Sequence, residues 1–266
     1  MTLKLSYPSE YIALVTLNRP EKLNAMNRVM YKEIKETFES LDKNLDIRCI
    51  VVTGNEKAFC AGMDLQDFYS YRVQDAARGA FIAQDDIKSL QDCITVIETC
   101  KKPVIAAVSG FCLGAGVDLM TACCIRLCTK STLVSIKEID LGITADLGVL
   151  QRLPKIVGNG SWIKEIIYTG RNVKAEECLR RGLVSTVYDK YEGMLQAALT
   201  LAEEIATKSP VAVLGSKKNL NFSRDHSVKE ALDFVVQWNS WALQSSDVEK
   251  AVKGFLTKEK VRFPKL

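Results

Sequence analysis

Two short segments rich in small residues could bring main-chain N–H groups close to a ligand oxygen. The first glycine segment is AFCAGMDL at residues 58–65, and the second glycine segment is GFCLGAGVDL at residues 110–119. Each follows an apolar, strand-like run, and small residues between a strand and a helix permit close approach to backbone donors. Neither segment matches the P-loop pattern or GxGxxG. Spacing alone therefore indicates candidate backbone donors and leaves open that both are only tight turns.

A lone carboxylate, Asp118, lies in an otherwise uncharged run at residues 103–125. The run is long enough for a membrane helix, which needs about 20 apolar residues. However, it begins at a proline and contains three glycines, so we expect a buried strand, a glycine turn and a buried helix and no membrane span. Because burying a carboxylate without partners is costly, Asp118 is a candidate functional acid. A paired structural acid is the alternative.

Several chemistries are disfavoured by what the sequence lacks. His226 is the only histidine and lies in a polar stretch, which argues against Ser–His–Asp and Cys–His catalysis. The nine cysteines form no CxxC pair, which argues against a zinc site and for a reducing compartment. A net charge of +4 over 266 residues is too small to indicate nucleic-acid binding. We therefore expect neither a metal nor a nucleic-acid partner.

The elements that must position these residues alternate between strand and helix over about the first 190 residues. Apolar runs predict strands and 3.6-residue periodicity predicts helices. The predicted strands are 11–17, 49–53, 103–108, 125–129, 133–136 and 184–188, and the predicted helices are 27–42, 80–100 and 160–169. From residue 192 we expect only helices, with a break at 208–210. This pattern predicts an α/β core at residues 1–195 and a C-terminal helical region at residues 196–266.

The two ends of the chain bear on its location in the cell. Residues 1–6 (MTLKLS) show neither the apolar run of a secretory signal nor an Arg/Ser-rich amphipathic presequence. The last three residues, Pro264-Lys265-Leu266, resemble the peroxisomal Ser-Lys-Leu address with its first position changed. We therefore expect a peroxisome or a peroxisome-like organelle, with the cytoplasm and the mitochondrion as alternatives.

Taken together, the two glycine segments resemble the crotonase (enoyl-CoA hydratase/isomerase) superfamily. The resemblance is carried by residues 58–65 and by PVIAAVSGFCLGAGVDL at 103–119, and RPEKLNA at 19–25 is similar to that family's CoA-binding motif. It implies an α/β fold, a superhelix of ββα units whose C-terminal helices build homotrimers that are commonly paired into hexamers. Phe234, Trp238 and Trp241 would then belong to a core or to a subunit interface. It also implies an acyl-CoA thioester substrate and no separate cofactor.

The resemblance assigns binding roles to particular residues. The thioester oxygen would lie between the main-chain N–H groups of Met63 and Ala115, and the family usually has glycine at the second position. Such an oxyanion hole stabilises an enolate, and loss of one donor reduces the rate by about 10²–10³. The other residues expected to contact the substrate are Lys22, Leu23, Ala61, Gly62, Asp64, Leu65, Phe255 and Lys258.

Three acids indicate a particular branch of this family. Family hydratases have glutamates at the positions of Asp118 and Glu138, whereas here the first is an aspartate and a third acid, Asp146, follows. This arrangement, within KEIDLGITADLGVLQRLPKIVGN at residues 137–159, resembles the Δ3,5-Δ2,4-dienoyl-CoA isomerases.

The third acid fits the chemistry that this resemblance implies. A 3-trans,5-cis-dienoyl-CoA loses a proton from C2 and gains one at C6, which gives the 2-trans,4-trans product in the β-oxidation of unsaturated fatty acids. Glu138 and Asp146 would serve the two ends, each contributing about 10²–10⁴ in rate, and the sequence leaves open which acid faces C2. One must be ionised and the other protonated, so an apolar pocket should raise at least one pKa.

Asp118 is assigned a supporting role in this scheme, polarising the site or holding a partner. The alternatives that the sequence leaves open are an enoyl-CoA hydratase, a Δ3-Δ2-enoyl-CoA isomerase, and a catalytically idle CoA-ester-binding protein.

Overall fold

Two sheets surrounded by helices make up the structure, a computed structural model that describes residues 1–67 and 75–266. Within these residues the strands are β1 (Leu3–Ser9), β2 (Ile12–Leu17), β3 (Cys49–Thr53), β4 (Ala58–Cys60), β5 (Val104–Val108), β6 (Phe111–Leu113), β7 (Ile125–Thr129), β8 (Leu133–Ser135), β9 (Val173–Lys174) and β10 (Thr186–Tyr188). The α-helices are α1 (Arg28–Lys43), α2 (Ala76–Thr99), α3 (Ala115–Ala122), α4 (Val149–Ile156), α5 (Gly160–Thr169), α6 (Ala175–Arg180), α7 (Tyr191–Ala206), α8 (Pro210–Ser223), α9 (Val228–Ala242) and α10 (Ser246–Thr257).

The two sheets are built from a repeated unit that contributes one strand to each sheet and is followed by a helix. The larger sheet has the order β1-β2-β3-β5-β7-β10 and the smaller one the order β4-β6-β8-β9. Strands β3, β5 and β7 of the larger sheet are each followed by a short strand of the smaller sheet and then by a helix, α2, α3 or α4. Pairing is parallel except at the β1–β2 and β8–β9 edges. The chain therefore forms successive ββα units, which confirms the predicted α/β class.

The central strands of the larger sheet are buried on both faces, which explains why β3 (CIVVT) and β5 (VIAAV) are almost entirely apolar. Ile50 and Val52 of β3 face the main core, which also contains the buried side of α1. Cys49 and Val51 face the opposite way and pack with Ala198 and other small residues of α7. Alternation along one strand thus serves two separate cores.

The predicted elements are confirmed in type, with shifted ends, except around the site. The two glycine segments are not only tight turns, because residues 58–60 and 111–113 form β4 and β6 and α3 begins at residue 115. These strands are only three residues long, too short for a periodic pattern to show. Strand β1 was not predicted, although Leu3, Leu5 and Tyr7 alternate with Lys4 and Ser6; of these residues only Leu3 is buried. Helices α4 and α6, of eight and six residues, were also missed.

The C-terminal helices begin where the sequence predicts a break. The Ser209 hydroxyl accepts the Ala212 N–H at 3.2 Å and Pro210 occupies the first turn of α8. The predicted division at residue 195 falls inside α7, which packs on the larger sheet, and the two-domain division stays a prediction. Among the described helices, none is both long and apolar enough to span a bilayer.

Candidate active site

The first glycine segment turns sharply after β4, at Gly62, where φ is +99°. A Cβ at this position would lie 3.3 Å from the carbonyl oxygen of Leu113, so glycine lets the turn pack on the second glycine segment. The Met26 N–H donates to the Gly62 oxygen at 2.7 Å, and the Asp64 N–H donates to the Met26 oxygen at 2.9 Å. These bonds fix both neighbours of Met63, whose own N–H has no acceptor within residues 1–67 and 75–266.

The second glycine segment passes from β6 into helix α3. Gly114 has φ of +48°, and Ala115 is the first helical residue. A Cβ on Gly116 would lie 2.7 Å from the carbonyl oxygen of Cys60, so the first turn of α3 can approach β4 only because glycine is present. The Ala115 N–H also lacks an acceptor in the described part of the chain. The packed segments therefore present two free main-chain donors, one of them at the positive end of a helix.

Glu138 lies beside this helix start, on the 3₁₀ turn Lys137–Leu141 that follows β8. A Cβ on Gly114 would lie 2.9 Å from Glu138 Oε1, so the missing side chain makes room for the acid. Oε2 is buried and has no hydrogen-bond partner among the described residues. Burial raises the pKa of Glu138, and repulsion from Asp146 adds to this.

An apolar cavity of about 390 Å³ extends from Glu138. Its walls come from the 3₁₀ turn, α4 and α5, and its apolar lining residues include Ile136, Ile139, Ile143, Leu150, Ile163 and Ile167. A carboxyl group at the edge of such a cavity is poorly hydrated, which favours its neutral form.

Asp118, on α3, is completely buried, as the sequence predicts. Its Oδ1 accepts the N–H of Val149, the first residue of α4, at 2.6 Å. Oδ2 has no hydrogen-bond partner among the described residues. Burial, followed by repulsion from Glu138, raises the pKa of Asp118 to about 8. The acid is therefore mostly protonated at neutral pH, and it anchors the start of α4 to α3.

Asp146 is half-buried and lies three residues before α4. Burial raises its pKa as well. Its negative charge raises the pKa of both Asp118 and Glu138, so the three acids are close enough to interact electrostatically. The structure thus brings together the three acids that the sequence singles out.

The predicted CoA-binding segment at residues 19–25 is joined to the first glycine segment by hydrogen bonds. The Leu23 oxygen accepts the Ala61 N–H at 3.0 Å, and Asn24 Nδ2 donates to the Ala58 oxygen at 2.9 Å. Leu23 and Asn24 both have positive φ, of 50° and 57°. Such strained backbone persists only where its surroundings hold it, as these bonds do.

Asp64 is engaged by a neighbour rather than left free for a ligand. Its Oδ2 pairs with Arg19 Nη2 at 2.9 Å, and this hydrogen bond lowers the pKa of Asp64. Lys22 reaches Gln66 Oε1 at 3.4 Å, and Leu65 is 58% exposed at the start of the 3₁₀ turn Leu65–Asp67. Asp64 therefore stiffens the rim of the site, while Lys22 and Leu65 face outward beside it.

Phe255 and Lys258 are not joined to this cluster. Phe255 is 86% exposed on α10, and Lys258 ends that helix with φ of +58°. In the described ranges, no hydrogen bond or ion pair links either residue to the glycine segments. Their predicted contact with substrate stays a prediction.

Three residues near the site were not predicted from the sequence. Gln91 of α2 donates to the main-chain oxygen of Asp146 at 2.7 Å, and the Arg152 guanidinium lies behind the same segment, 3.1 Å from the Leu147 oxygen. Tyr31 of α1 is buried, and the charge of Asp118 contributes to its raised pKa after burial itself. Gln and Arg are usually exposed and Tyr is of intermediate burial, so their residue types did not indicate a place at the site.

The arrangement suits proton transfer at a carbon next to a thioester or a similar carbonyl group. Two free N–H donors can stabilise an oxyanion, and the neighbouring acids have raised pKa values that allow one to be protonated while another is ionised. The apolar cavity beside Glu138 disfavours the charged form of that acid.

Comparison with known proteins agrees with this geometry. Residues 8–265 match the family model described as enoyl-CoA hydratase/isomerase. The mitochondrial Δ3,5-Δ2,4-dienoyl-CoA isomerase of Mus musculus is 46% identical, over all of this chain and 83% of the relative. The peroxisomal Δ3,5-Δ2,4-dienoyl-CoA isomerase of Arabidopsis thaliana is 44% identical, over 94% of this chain and 91% of the relative.

Solved structures give the same fold. An enoyl-CoA hydratase from Bacillus anthracis superposes with a TM-score of 0.90 at 26% identity, covering 99% of each chain. The crotonase-like superhelix of ββα units expected from the sequence is therefore confirmed.

Proposed function

This chain belongs to the enoyl-CoA hydratase/isomerase family, and on that premise we propose that it is a Δ3,5-Δ2,4-dienoyl-CoA isomerase. It converts 3-trans,5-cis-dienoyl-CoA to 2-trans,4-trans-dienoyl-CoA in the β-oxidation of unsaturated fatty acids. The observation that carries the proposal is the gathering of three acids beside two free main-chain donors, in a chain 44–46% identical to relatives of that name.

In the proposed reaction, the thioester oxygen accepts hydrogen bonds from the N–H groups of Met63 and Ala115. As the C2 proton leaves, negative charge moves onto this oxygen and along the conjugated chain. Both donors are already fixed and unpaired, so they need no reorganisation to stabilise the dienolate. The thioester is part of the substrate, and the proposal requires no separate cofactor or metal.

Glu138 and Asp146 act at the two ends of the diene. One accepts the C2 proton as a carboxylate, and the other donates a proton to C6 as a carboxylic acid. The product has the same composition as the substrate, although the proton gained at C6 is not the one lost from C2. Proton exchange with solvent then restores the two acids to their starting states. The raised pKa values of both acids support this division of protonation states. Asp118 holds the start of α4 and contributes little negative charge while it is protonated.

The remaining substrate contacts follow from the position of residues 19–25 along the rim. Lys22 and Leu23 would meet the CoA portion, with the main chain of residues 61–65 beside it. Phe255 and Lys258 would reach the CoA only after assembly or movement of α10, since the described residues give them no contact with the glycine segments.

The proposed assembly is a homotrimer, or a hexamer of two trimers, formed through the C-terminal helices. These helices expose large apolar side chains, among them Leu220, Val236, Phe255 and Leu256. Large apolar side chains exposed on several helices of one region support an interface there. Trp238 packs on Gly215 within the region, while Trp241 is 51% exposed. Sedimentation equilibrium of the purified protein tests this, and a stable monomer would contradict it.

The proposed location is an organelle of fatty acid oxidation. The relatives reported above carry mitochondrial and peroxisomal names, and Pro264-Lys265-Leu266 favours the peroxisome. A fluorescent protein fused to the N-terminus, with and without the last three residues, separates the two. Peroxisomal signal that disappears on deletion supports the assignment, and mitochondrial signal from both fusions rejects it.

The experiment that tests the activity compares two substrates. Purified protein is given a 3,5-dienoyl-CoA, and the absorbance of the conjugated 2,4-dienoyl product is followed, with a trans-2-enoyl-CoA run in parallel. Rapid formation of the dienoyl product with slow hydration of the enoyl ester is the expected result. Fast hydration without dienoyl product would make the protein a hydratase, and binding without turnover would make it an idle CoA-ester-binding protein.

A further inference from the structure

The Asp146 segment, residues 146–149, is held by side chains from other elements. Gln91 Nε2 of α2 donates to the Asp146 oxygen at 2.7 Å, and Arg152 Nη1 of α4 donates to the Leu147 oxygen at 3.1 Å. The segment lies in no strand of the described residues, and these two bonds, with the one from the Val149 N–H to Asp118 Oδ1 at 2.6 Å, hold the main chain that carries the Asp146 carboxylate.

The Arg152 guanidinium lies directly against Gly148 of the Asp146 segment. Gly148 has φ of +120°, and a Cβ there would lie 1.9 Å from Arg152 Nη1. The guanidinium therefore fills the position a side chain would take, and only 7% of Arg152 is exposed. Glycine at 148 and arginine at 152 are matched to each other, which fixes the path of the chain between Asp146 and α4.

The guanidinium of Arg152 also binds side chains of helix α2. Arg152 Nε pairs with Glu98 Oε2 at 2.9 Å, and Nη2 donates to Thr95 Oγ1 at 3.0 Å. The other carboxylate oxygen of Glu98 pairs with Arg224 Nη1 at the end of α8. A chain of buried and half-buried charges thus runs from the C-terminal helical region to the Asp146 segment.

We propose that Arg152 is a positioning residue for the Asp146 carboxylate, and that the Glu98–Arg224 pair extends this support to helix α8. The inference rests on the proposed function, in which Asp146 acts at one end of the diene. Misplacing a reacting group by 1 Å can reduce the rate by about 10²-fold. Arginine suits the task because its planar fork bonds the Leu147 oxygen, Thr95 and Glu98 in fixed directions.

The first test is Arg152→Gln in the full-length protein, assayed with a 3,5-dienoyl-CoA. We expect kcat to fall about 10–100-fold, while the Kd of a saturated acyl-CoA of equal length, measured by calorimetry, changes less than about 3-fold. Arg152→Lys keeps the charge but loses the fork, so its kcat should lie between those of Arg152→Gln and wild type. A merely structural role would lower the unfolding temperature without separating kcat from binding.

Arg224→Ala provides a second variant should Arg152→Gln not fold. It removes the outer ion pair with Glu98 and a longer one with Asp225 at 3.8 Å. We expect a smaller fall in kcat, of about 3–10-fold, with unchanged Kd. Lys88→Ala is the matched control. Lys88 lies on α2, as do Thr95 and Glu98, but its side chain is 69% exposed and pairs with Asp92 in the next turn of the same helix. Its kcat should remain that of wild type.

The outcomes separate this inference from the proposed function. Wild-type turnover of the dienoyl ester with unchanged kcat in Arg152→Gln and Arg224→Ala would overturn the positioning role alone. Equal losses of kcat and binding would also overturn it. If wild type only hydrates trans-2-enoyl-CoA, the proposed function fails, and an unchanged hydration kcat in these variants would then reject the positioning role too.

Discussion

The two glycine segments and the three acids belong to one site but are built in different ways. The donors of Met63 and Ala115 are main-chain groups, fixed by parallel strands and by glycines that permit close packing. The acids are side chains, Asp118 on helix α3 and Glu138 and Asp146 on connecting segments, and Asp118 is held by the bond from the Val149 N–H. The donor half should therefore tolerate most side-chain changes, whereas single substitutions should disable the acid half.

The largest effect is expected from Asp146→Asn. The amide cannot accept or donate a proton as a carboxyl group does, so kcat for isomerisation should fall by about 10²–10⁴. Binding of a saturated acyl-CoA should persist, because the donors are untouched. Asp140→Asn is the control, since Asp140 is exposed and, among the residues that the structure describes, pairs only with Lys137 in the same turn. Turnover near the wild-type level in Asp146→Asn would remove this acid from the mechanism.

Gly116→Ala should disturb the main-chain donors, because glycine at position 116 permits the close packing of α3 on β4. The new methyl group would meet the Cys60 oxygen at 2.7 Å and displace the start of α3, including the Ala115 N–H. We expect kcat/KM to fall by about 10²–10³, together with a lower unfolding temperature. Gly193→Ala, on α7 with no atom within 4 Å of the added Cβ, should leave both values unchanged or slightly improved. A fully active Gly116→Ala variant would contradict the packing argument.

Asp118 should make the folding stability of the protein depend on pH. Its pKa is raised to about 8 in the folded protein and is about 4 when unfolded. The folded state therefore binds the extra proton, and stability falls as pH rises from about 4 to 8. Asp118→Asn can still accept the Val149 N–H. It should weaken this pH dependence and raise the unfolding temperature at pH 8.5, where each kcal/mol gained in the free energy of unfolding corresponds to about 2–4 °C. Unfolding curves between pH 5.5 and 8.5 that are identical for both proteins would refute it.

Ala115→Gly should have the smallest effect. It removes a buried methyl group but keeps the N–H, so kcat should stay within about 3-fold of wild type. Glycine at the helix start should lower stability by about 0.5–1 kcal/mol, measurable by urea denaturation. A large loss of kcat here would show that the methyl group, and not only the main chain, shapes the donor site.

The sequence predicted the long strands and the buried acid Asp118 better than the short strands and polar residues that hold the site together. Continuous apolar runs marked β3 and β5, and an uncharged run with one carboxylate marked Asp118 as buried. Strands β4 and β6 were too short for periodicity to reveal, although they set the spacing of the two donors. Arg152 and Gln91 could not be recognised, because charged and polar residues are usually solvated and their burial depends on contacts distant in sequence.

The measurement that tests the central claim most directly is isotope exchange in D₂O. Wild type, Glu138→Gln and Asp146→Asn are each incubated with a 3,5-dienoyl-CoA, and deuterium at C2 and C6 is located by mass spectrometry and NMR. Two acids at two ends predict that wild type forms product deuterated at C6. They also predict that neither variant isomerises and that only one of them still exchanges the C2 hydrogen. Isomerisation at the wild-type rate by either variant, or equal C2 exchange in both, would contradict the account.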